Sequence, residues 1–166
     1  GVGAAAQPFT TFQGHIIVEG AKTKYYFYQN SGAAPAGVFG ADPGFFMEDA
    51  VILRNGATME LENNYFIYYG GWPNRGLRVE DEGTLSLKTG AGGATFICAI
   101  PVSGPGILTV RSTSRKVVLE KPFAPARADF ASGTFIATEK FSFGADTVVS
   151  IASNVTFTTP ALGLED

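Results

Sequence analysis

The stretch AVILRNGATMEL, residues 50–61, decides the fold. Two apolar-rich runs, 50–54 and 57–61, flank the pair Asn55-Gly56. Such runs are typical of strands, and Asn-Gly favours a turn with positive φ at both residues. If the pair closes an antiparallel hairpin, it predicts a β-sandwich or jelly roll. If it is a corner, the chain bends there between two faces of a parallel β-solenoid, whose coils stack on one another.

Similar units, each a turn glycine followed by an alternating strand, recur along the chain. The glycines at 56, 83, 106 and 133 follow one another at nearly even intervals, a pattern typical of repeat architectures. This spacing favours the solenoid, and it predicts that Leu85 and Leu87 lie under Met59 and Leu61. The units are NGATMEL (55–61), EGTLSLK (82–88), PGILTV (105–110), SGTFIAT (132–138) and GADTVVSI (144–151).

Two longer stretches carry a family resemblance. GLRVEDEGTLSLKTGAGG (76–93) and AVILRNGATMELENN (50–64) resemble coils of bacterial autotransporter passengers and related surface-adhesin β-helices. The resemblance covers roughly residues 50–159. It implies a surface-exposed adhesive or structural part rather than an enzyme.

The composition agrees with an all-β chain. The 166 residues include 21 glycines, only 16% are charged, and helical periodicity is almost missing. We expect a single all-β domain over 1–166. In it, residues 1–49 form N-terminal strands and a loop or cap, and residues 50–159 form the repetitive region.

Residue sets for catalysis are scarce. His15 is the only histidine, and at the start of the run HIIVE it is expected to make an ordinary strand-end hydrogen bond. Cys98 lies in an apolar run and is expected to be a buried free thiol. Glu60 and Glu62 are expected to face solvent, and the triplet Glu80, Asp81 and Glu82 lacks the pattern of a calcium loop. We therefore predict no catalytic residues, no metal, no cofactor and no enzymatic activity.

Aromatic residues give the candidate ligand or interface site. The run YFIYY (65–69) is bulky on both faces, as is KYYFY (24–28), so something must cover each face. Core packing, an interface with another copy, and a sugar site all remain open. The candidate residues are Tyr65, Tyr68, Tyr69, Trp72, Asn74, Arg75, Tyr26 and Tyr28.

Cations gather in residues 111–127, with Glu120 as the only acid there. They suit either an anionic partner or a solvated surface beside the strand KVVLE. The residues are Arg111, Arg115, Lys116, Lys121 and Arg127.

The predicted function follows from these features together. A net charge of −3 argues against nucleic-acid binding, and the apolar runs are too short to span a membrane. We expect a non-enzymatic structural or adhesive protein at the cell surface or outside the cell, which self-associates into an assembly or fibre. The alternatives are a carbohydrate-binding β-sandwich module and a phage or viral structural protein located in the virion.

Overall fold

The computed structural model describes residues 14–29, 47–63, 75–89 and 95–160. Within these ranges every regular element is a β-strand, and no helix occurs. The strands are β1 (Ile16–Glu19), β2 (Lys24–Gln29), β3 (Met47–Arg54), β4 (Ala57–Asn63), β5 (Arg75–Val79), β6 (Glu82–Thr89), β7 (Thr95–Cys98), β8 (Val102–Ser112), β9 (Lys116–Leu119), β10 (Phe123–Ala137), β11 (Val148–Ile151) and β12 (Val155–Thr158).

Asn55-Gly56 is a corner and not a hairpin. Asn55 has φ 51° and Gly56 has φ 75°, as the Asn-Gly pair favours. However, β3 and β4 do not pair with each other. β3 pairs in parallel with β1 and β5, and β4 pairs in parallel with β2 and β6. The structure therefore confirms the parallel β-solenoid, and the alternative of a β-sandwich or jelly roll is wrong.

The pairings arrange the strands on three faces. The first face contains β1, β3, β5 and the starts of β8 and β10. The second face contains β2, β4, β6, residues 107–112, residues 127–132 and β11. The third face contains β7, β9, residues 133–137 and β12. Strands β8 and β10 therefore run through corners at which earlier coils break into separate strands.

The two C-terminal coils are shorter than the two coils before them. One register position on the second face is occupied in successive coils by Thr58, Thr84, Thr109, Asp129 and Ser150. Each coil therefore runs from one residue of this series to the next. The coils 109–129 and 129–150 are shorter than the coils 58–84 and 84–109. The predicted stacking of Leu85 under Met59 and of Leu87 under Leu61 is confirmed.

The glycine repeat does not give the true coil period. Gly83 pairs with Ala57 on the second face, but Gly133 pairs with Val155 on the third. Four similar glycines therefore occupy different places in the coil, because a glycine fits any corner where the backbone bends or comes close to a neighbour.

Inward-pointing residues form a continuous apolar core. On the second face this row contains Met59, Leu85, Val110 and Phe130, all at most 1% exposed. The first face adds Val51, Leu77, Val102 and Phe123, and the third adds Phe96, Val117 and Phe135. Each coil buries its apolar residues only against its neighbours, as expected of a solenoid.

Aromatic rings fill the core of the C-terminal coils. Phe130 lies at the centre, with its ring centroid 4.9 Å from that of Phe135 and 5.0 Å from that of Phe157, both edge-to-face. Phe141 and Phe143 meet edge-to-face at 4.9 Å. The large rings thus occupy the shorter coils.

Candidate functional site

The terminal coil, β11 and β12, is the most distinctive surface of the described structure. Both strands pair with β10 on one side. By register with the buried Ala128 and Phe130, Val149 and Ile151 point inward, and Val148 and Ser150 point outward. Ile151 is nevertheless 47% exposed, because no further described strand lies over it.

This coil also lacks the features that usually protect a sheet edge. Natural edge strands carry charges, prolines or bulges that prevent pairing with another chain. Residues 147–159 contain neither a charged residue nor a proline, and the outward Val148 is 59% exposed. Among the described residues, β11 and β12 pair with another strand on one side only, and Ile151 is exposed at the end of the apolar core. In the sequence, the uncharged run 147–159 indicates this terminal coil. The aromatic stretches near residue 65 were chosen as the candidate interface instead.

A charged cluster links three strands on the second face. Glu60 lies between two lysines: Lys24 Nζ is 3.0 Å from its Oε2, and Lys88 Nζ is 3.2 Å from its Oε1. Lys88 also lies 3.7 Å from Glu62 Oε2, and Tyr26 donates a hydrogen bond of 2.7 Å to that oxygen. The prediction that Glu60 and Glu62 share the outward face is supported by these contacts, but the Glu60 side chain is only 10% exposed.

The lysines decide the ionisation of this cluster. Burial alone would raise the pKa of Glu60, but hydrogen bonds and charges from Lys24 and Lys88 outweigh it, and the pKa lies below its usual value. The hydrogen bond to Glu60 raises the pKa of Lys88. The ion pairs of this cluster connect three successive coils. The Glu60 carboxylate is already paired with Lys24 and Lys88.

A shallow recess of about 280 Å³ lies at the start of the second face. Its walls carry the carboxylates of Glu82 and Asp129 and the hydroxyls of Thr84 and Thr109, and Ile107 forms an apolar part. Asp129 accepts a hydrogen bond of 2.7 Å from Arg127 Nε. The recess therefore combines hydrogen-bonding side chains with an apolar contact.

The predicted aromatic site falls mainly outside the described residues. Tyr65, Tyr68, Tyr69, Trp72 and Asn74 lie there, as do the side chains of Arg75 and Tyr28. Of the predicted set, only the Tyr26 side chain is described; it points outward, is 37% exposed and contacts Glu62. A ligand or interface role for these residues stays a prediction.

The predicted cations occupy several places on the solenoid. Arg111 lies on the second face between Ser86 and Ser132, and Arg115 and Lys116 follow at the next corner. Lys121 lies at the corner between the third and first faces. Arg127 is back on the second face, about 13 Å from Arg111 along the strand direction, and it pairs with Asp129. Anion binding by these residues stays a prediction.

The remaining titratable candidates have structural contacts. His15 Nδ1 lies 2.8 Å from the backbone oxygen of Asp49, as expected of a strand-end histidine. Cys98 is a buried free thiol, as predicted, and burial raises its pKa to about 12. Glu80 forms an ion pair with Arg54, with 2.6 Å between Glu80 Oε2 and Arg54 Nε. Among the described residues, no group of three or more His, Cys, Asp or Glu could hold a metal ion.

Comparison with protein-family models, with curated proteins and with solved structures gives no match. Within the described ranges, no helix has the length and apolarity needed to cross a membrane.

Proposed function

We propose that the protein is a non-enzymatic structural β-solenoid that self-associates through its terminal coil into a larger assembly or fibre at the cell surface or outside the cell. The observation that carries this proposal is the apolar, uncharged end formed by β11 and β12. Val148 and Ile151 are 59% and 47% exposed there.

The physics of solenoids supports this role. Each coil is stable only when its neighbours bury its core, so terminal coils normally require a polar cap. A parallel edge with free backbone groups also pairs readily with an added strand. An end that has both an open edge and an apolar core gains free energy when another chain covers it.

An adhesive role at the surface rests on the resemblance of residues 50–64 and 76–93 to autotransporter passenger coils and on the low content of charged residues, 16%. Long parallel faces such as the second face give a solenoid an extended contact surface. The protein would therefore serve as a structural scaffold that also adheres, and no residue would have a catalytic role.

The test is the mass of the particle in solution, measured by size-exclusion chromatography with multi-angle light scattering over a range of concentrations. We expect the wild type to be oligomeric and Val148→Lys to be monomeric, because a charge on β11 opposes burial of the edge. Ile107→Lys is the matched control. Like Val148, Ile107 is an outward β-branched residue on the second face, 37% exposed, but strands lie on both sides of it. A wild type that is monomeric at every concentration would overturn the proposal.

Glycan binding is a second candidate function, favoured by the recess beside Ile107. Carboxylates and hydroxyls there can accept and donate hydrogen bonds to sugar hydroxyls, and Ile107 can contact the apolar side of a ring. On a glycan array, Thr109→Val should abolish binding while the circular dichroism spectrum stays unchanged. Thr134→Val, on the third face, is the control. An array on which no glycan binds the wild type removes this candidate.

A further inference from the structure

Three cations gather at one corner of the solenoid, the turn that joins the second and third faces between β8 and β9. Arg111, Arg115 and Lys116 are all exposed there. Even a fully extended chain would separate the first and last of them by no more than about 18 Å. Among the described residues, none of the three forms an ion pair. Their positive charge is therefore available to a partner.

The neighbouring coils bring no acidic residue to this corner. In the preceding coil, β6 and β7 are joined by residues 90–94, whose sequence GAGGA contains no ionisable side chain. In the following coil, the corner lies at Ser132 and Gly133, where Ser132 pairs with Arg111. The positive charge is thus not compensated by the stretch of chain directly before or directly after it in the stack.

The other two predicted cations lie beside acids. At the corner between the third and first faces, Lys121 directly follows Glu120 in the chain. On the second face, Arg127 pairs with Asp129. Of the five predicted cations, the structure therefore sets apart the three of the turn 111–116 as an uncompensated group.

The turn holds these cations in fixed positions. Ser112 and Ser114 point into the solenoid and are each 7% exposed, and Ser114 N donates a hydrogen bond of 3.0 Å to Ser112 Oγ. Thr113 N donates to Leu87 O of the preceding coil at 3.1 Å. Because the backbone is anchored in this way, little of its freedom is lost when a partner binds.

Hydroxyl side chains flank the cations on the neighbouring strands. They are Ser86 and Ser132 beside Arg111, and Thr95 and Thr134 beside Lys116. A hydroxyl both donates and accepts hydrogen bonds, and an arginine guanidinium binds a carboxylate or a similar anion with two parallel bonds. Residues 111–116 contain no apolar side chain that could anchor a protein interface or enter a membrane. The corner therefore fits a partner that is negatively charged and rich in hydroxyls.

We infer that this corner binds an acidic polysaccharide, a polymer whose sugars carry carboxylate or sulfate groups. The three cations pair with the anionic groups, and the flanking hydroxyls bind those of the sugars. The inference goes beyond the proposed self-association and uses a surface other than the terminal coil. It is also separate from the recess beside Ile107, because the carboxylates of Glu82 and Asp129 in that recess repel an anionic polymer.

Matched polymers test the partner. The probes are dextran, carboxymethyl dextran and dextran sulfate of equal length, which share one backbone and differ in charge. In biolayer interferometry at low ionic strength, we expect a charged form to bind and neutral dextran not to bind, and added salt should weaken the binding. The charged form that binds more tightly identifies the anionic group as carboxylate or sulfate. Binding of neither charged form, or equal binding of neutral dextran, would overturn the inference.

Charge-matched variants test the site. The triple variant Arg111→Gln, Arg115→Gln, Lys116→Gln should lower the affinity for the charged dextran about tenfold or more. The control is Lys22→Gln, Lys121→Gln, Lys140→Gln, which removes the same charge from three exposed lysines at other turns. It should change the affinity by less than about twofold. All six side chains are exposed, so both variants should keep the circular dichroism spectrum of the wild type. Equal losses in the two variants would show that net charge and not this corner determines binding, which also overturns the inference.

Poly-L-glutamate separates a polysaccharide from an acidic peptide. It carries carboxylates without sugar hydroxyls, so it should bind more weakly than carboxymethyl dextran of equal charge. Tighter binding of poly-L-glutamate would assign the corner to an acidic peptide and reject the polysaccharide. Light scattering measures self-association independently, so either proposal can fail while the other stands.

Discussion

Asp81 Oδ1 accepts the backbone N–H of Asn55 at 2.6 Å, although the two residues lie in successive coils. The same oxygen accepts the N–H of Glu82. One carboxylate therefore stabilises the Asn55-Gly56 corner and the corner stacked on it. The backbone continues this contact, because Gly56 N donates to Glu82 O at 2.9 Å.

Acid should weaken these corners. Backbone hydrogen bonds from Glu82 and Asn55 lower the pKa of Asp81. The group thus contributes stability that is fully present above the ordinary aspartate pKa and is lost as pH falls through its lower folded value. In thermal melts, Asp81→Asn should have a lower Tm than the wild type at neutral pH, and the difference should shrink in acid. Glu139→Gln, at an exposed carboxylate, is the control. A difference that does not change with pH would contradict this assignment.

Gly104 should tolerate no side chain. It has φ +113°, and an added Cβ would lie 2.2 Å from the backbone oxygen of Val79 in the coil below. Gly104→Ala therefore adds a clash to backbone strain, and it should lower the free energy of unfolding by about 3 kcal/mol. Urea denaturation measures this loss.

Gly20 supplies the matched control for that substitution. Its φ is +99°, but the nearest atom to an added Cβ is 3.4 Å away. Gly20→Ala should cost about 1 kcal/mol from strain alone. Equal losses for the two variants would show that the close approach of the coils at Gly104 does not matter.

The solenoid was predictable from sequence where the coils are regular. Asn55-Gly56 marks a real corner, and the pairs Met59 with Leu85 and Leu61 with Leu87 stack as the alternation requires. These features depend on local turn chemistry and on period-two patterning, both of which are visible in one sequence.

The terminal coils were less predictable, because their register depends on coil length. The shortening of the coils after Thr109 moves Gly133 to a different corner from Gly83. The phenylalanines that meet around Phe130 come from residues 123 to 157, and no regular spacing connects them. The ring cluster and the open apolar end are thus properties of the three-dimensional stacking and not of any repeat in the sequence.

Phe130 should be the most sensitive position of the ring cluster. It is 1% exposed, and its ring lies within 6.4 Å of those of Phe123, Phe135, Phe143 and Phe157. Phe130→Ala should lower the free energy of unfolding by about 3–5 kcal/mol, because it leaves a cavity among rigid rings. Urea denaturation of Phe141→Ala, at a partly buried ring, gives the comparison and should show a smaller loss. A larger loss at Phe141 would place the centre of the cluster elsewhere.

The Glu60 cluster should make stability depend on pH at both extremes. Because the pKa of Glu60 is lowered, its contribution is present above the ordinary glutamate range and is lost as pH falls through the folded value. The pKa of Lys88 is raised from 10.5, so its contribution is present below that value and is lost as pH rises through the folded pKa.

Glu60→Gln removes both contributions at once. Lys24 and Lys88 are 51% and 37% exposed, so water screens their attraction to the carboxylate and the loss at neutral pH should be about 1–2 kcal/mol. The variant should also flatten the dependence of Tm on pH in alkali, where Lys88 would titrate nearer its ordinary value. Glu48→Gln, at an exposed carboxylate on β3, is the control. Because salt screens these pairs, raising the ionic strength should narrow the difference between Glu60→Gln and wild type. A difference that is constant with both salt and pH would mean that Glu60 acts through packing and not through its charge.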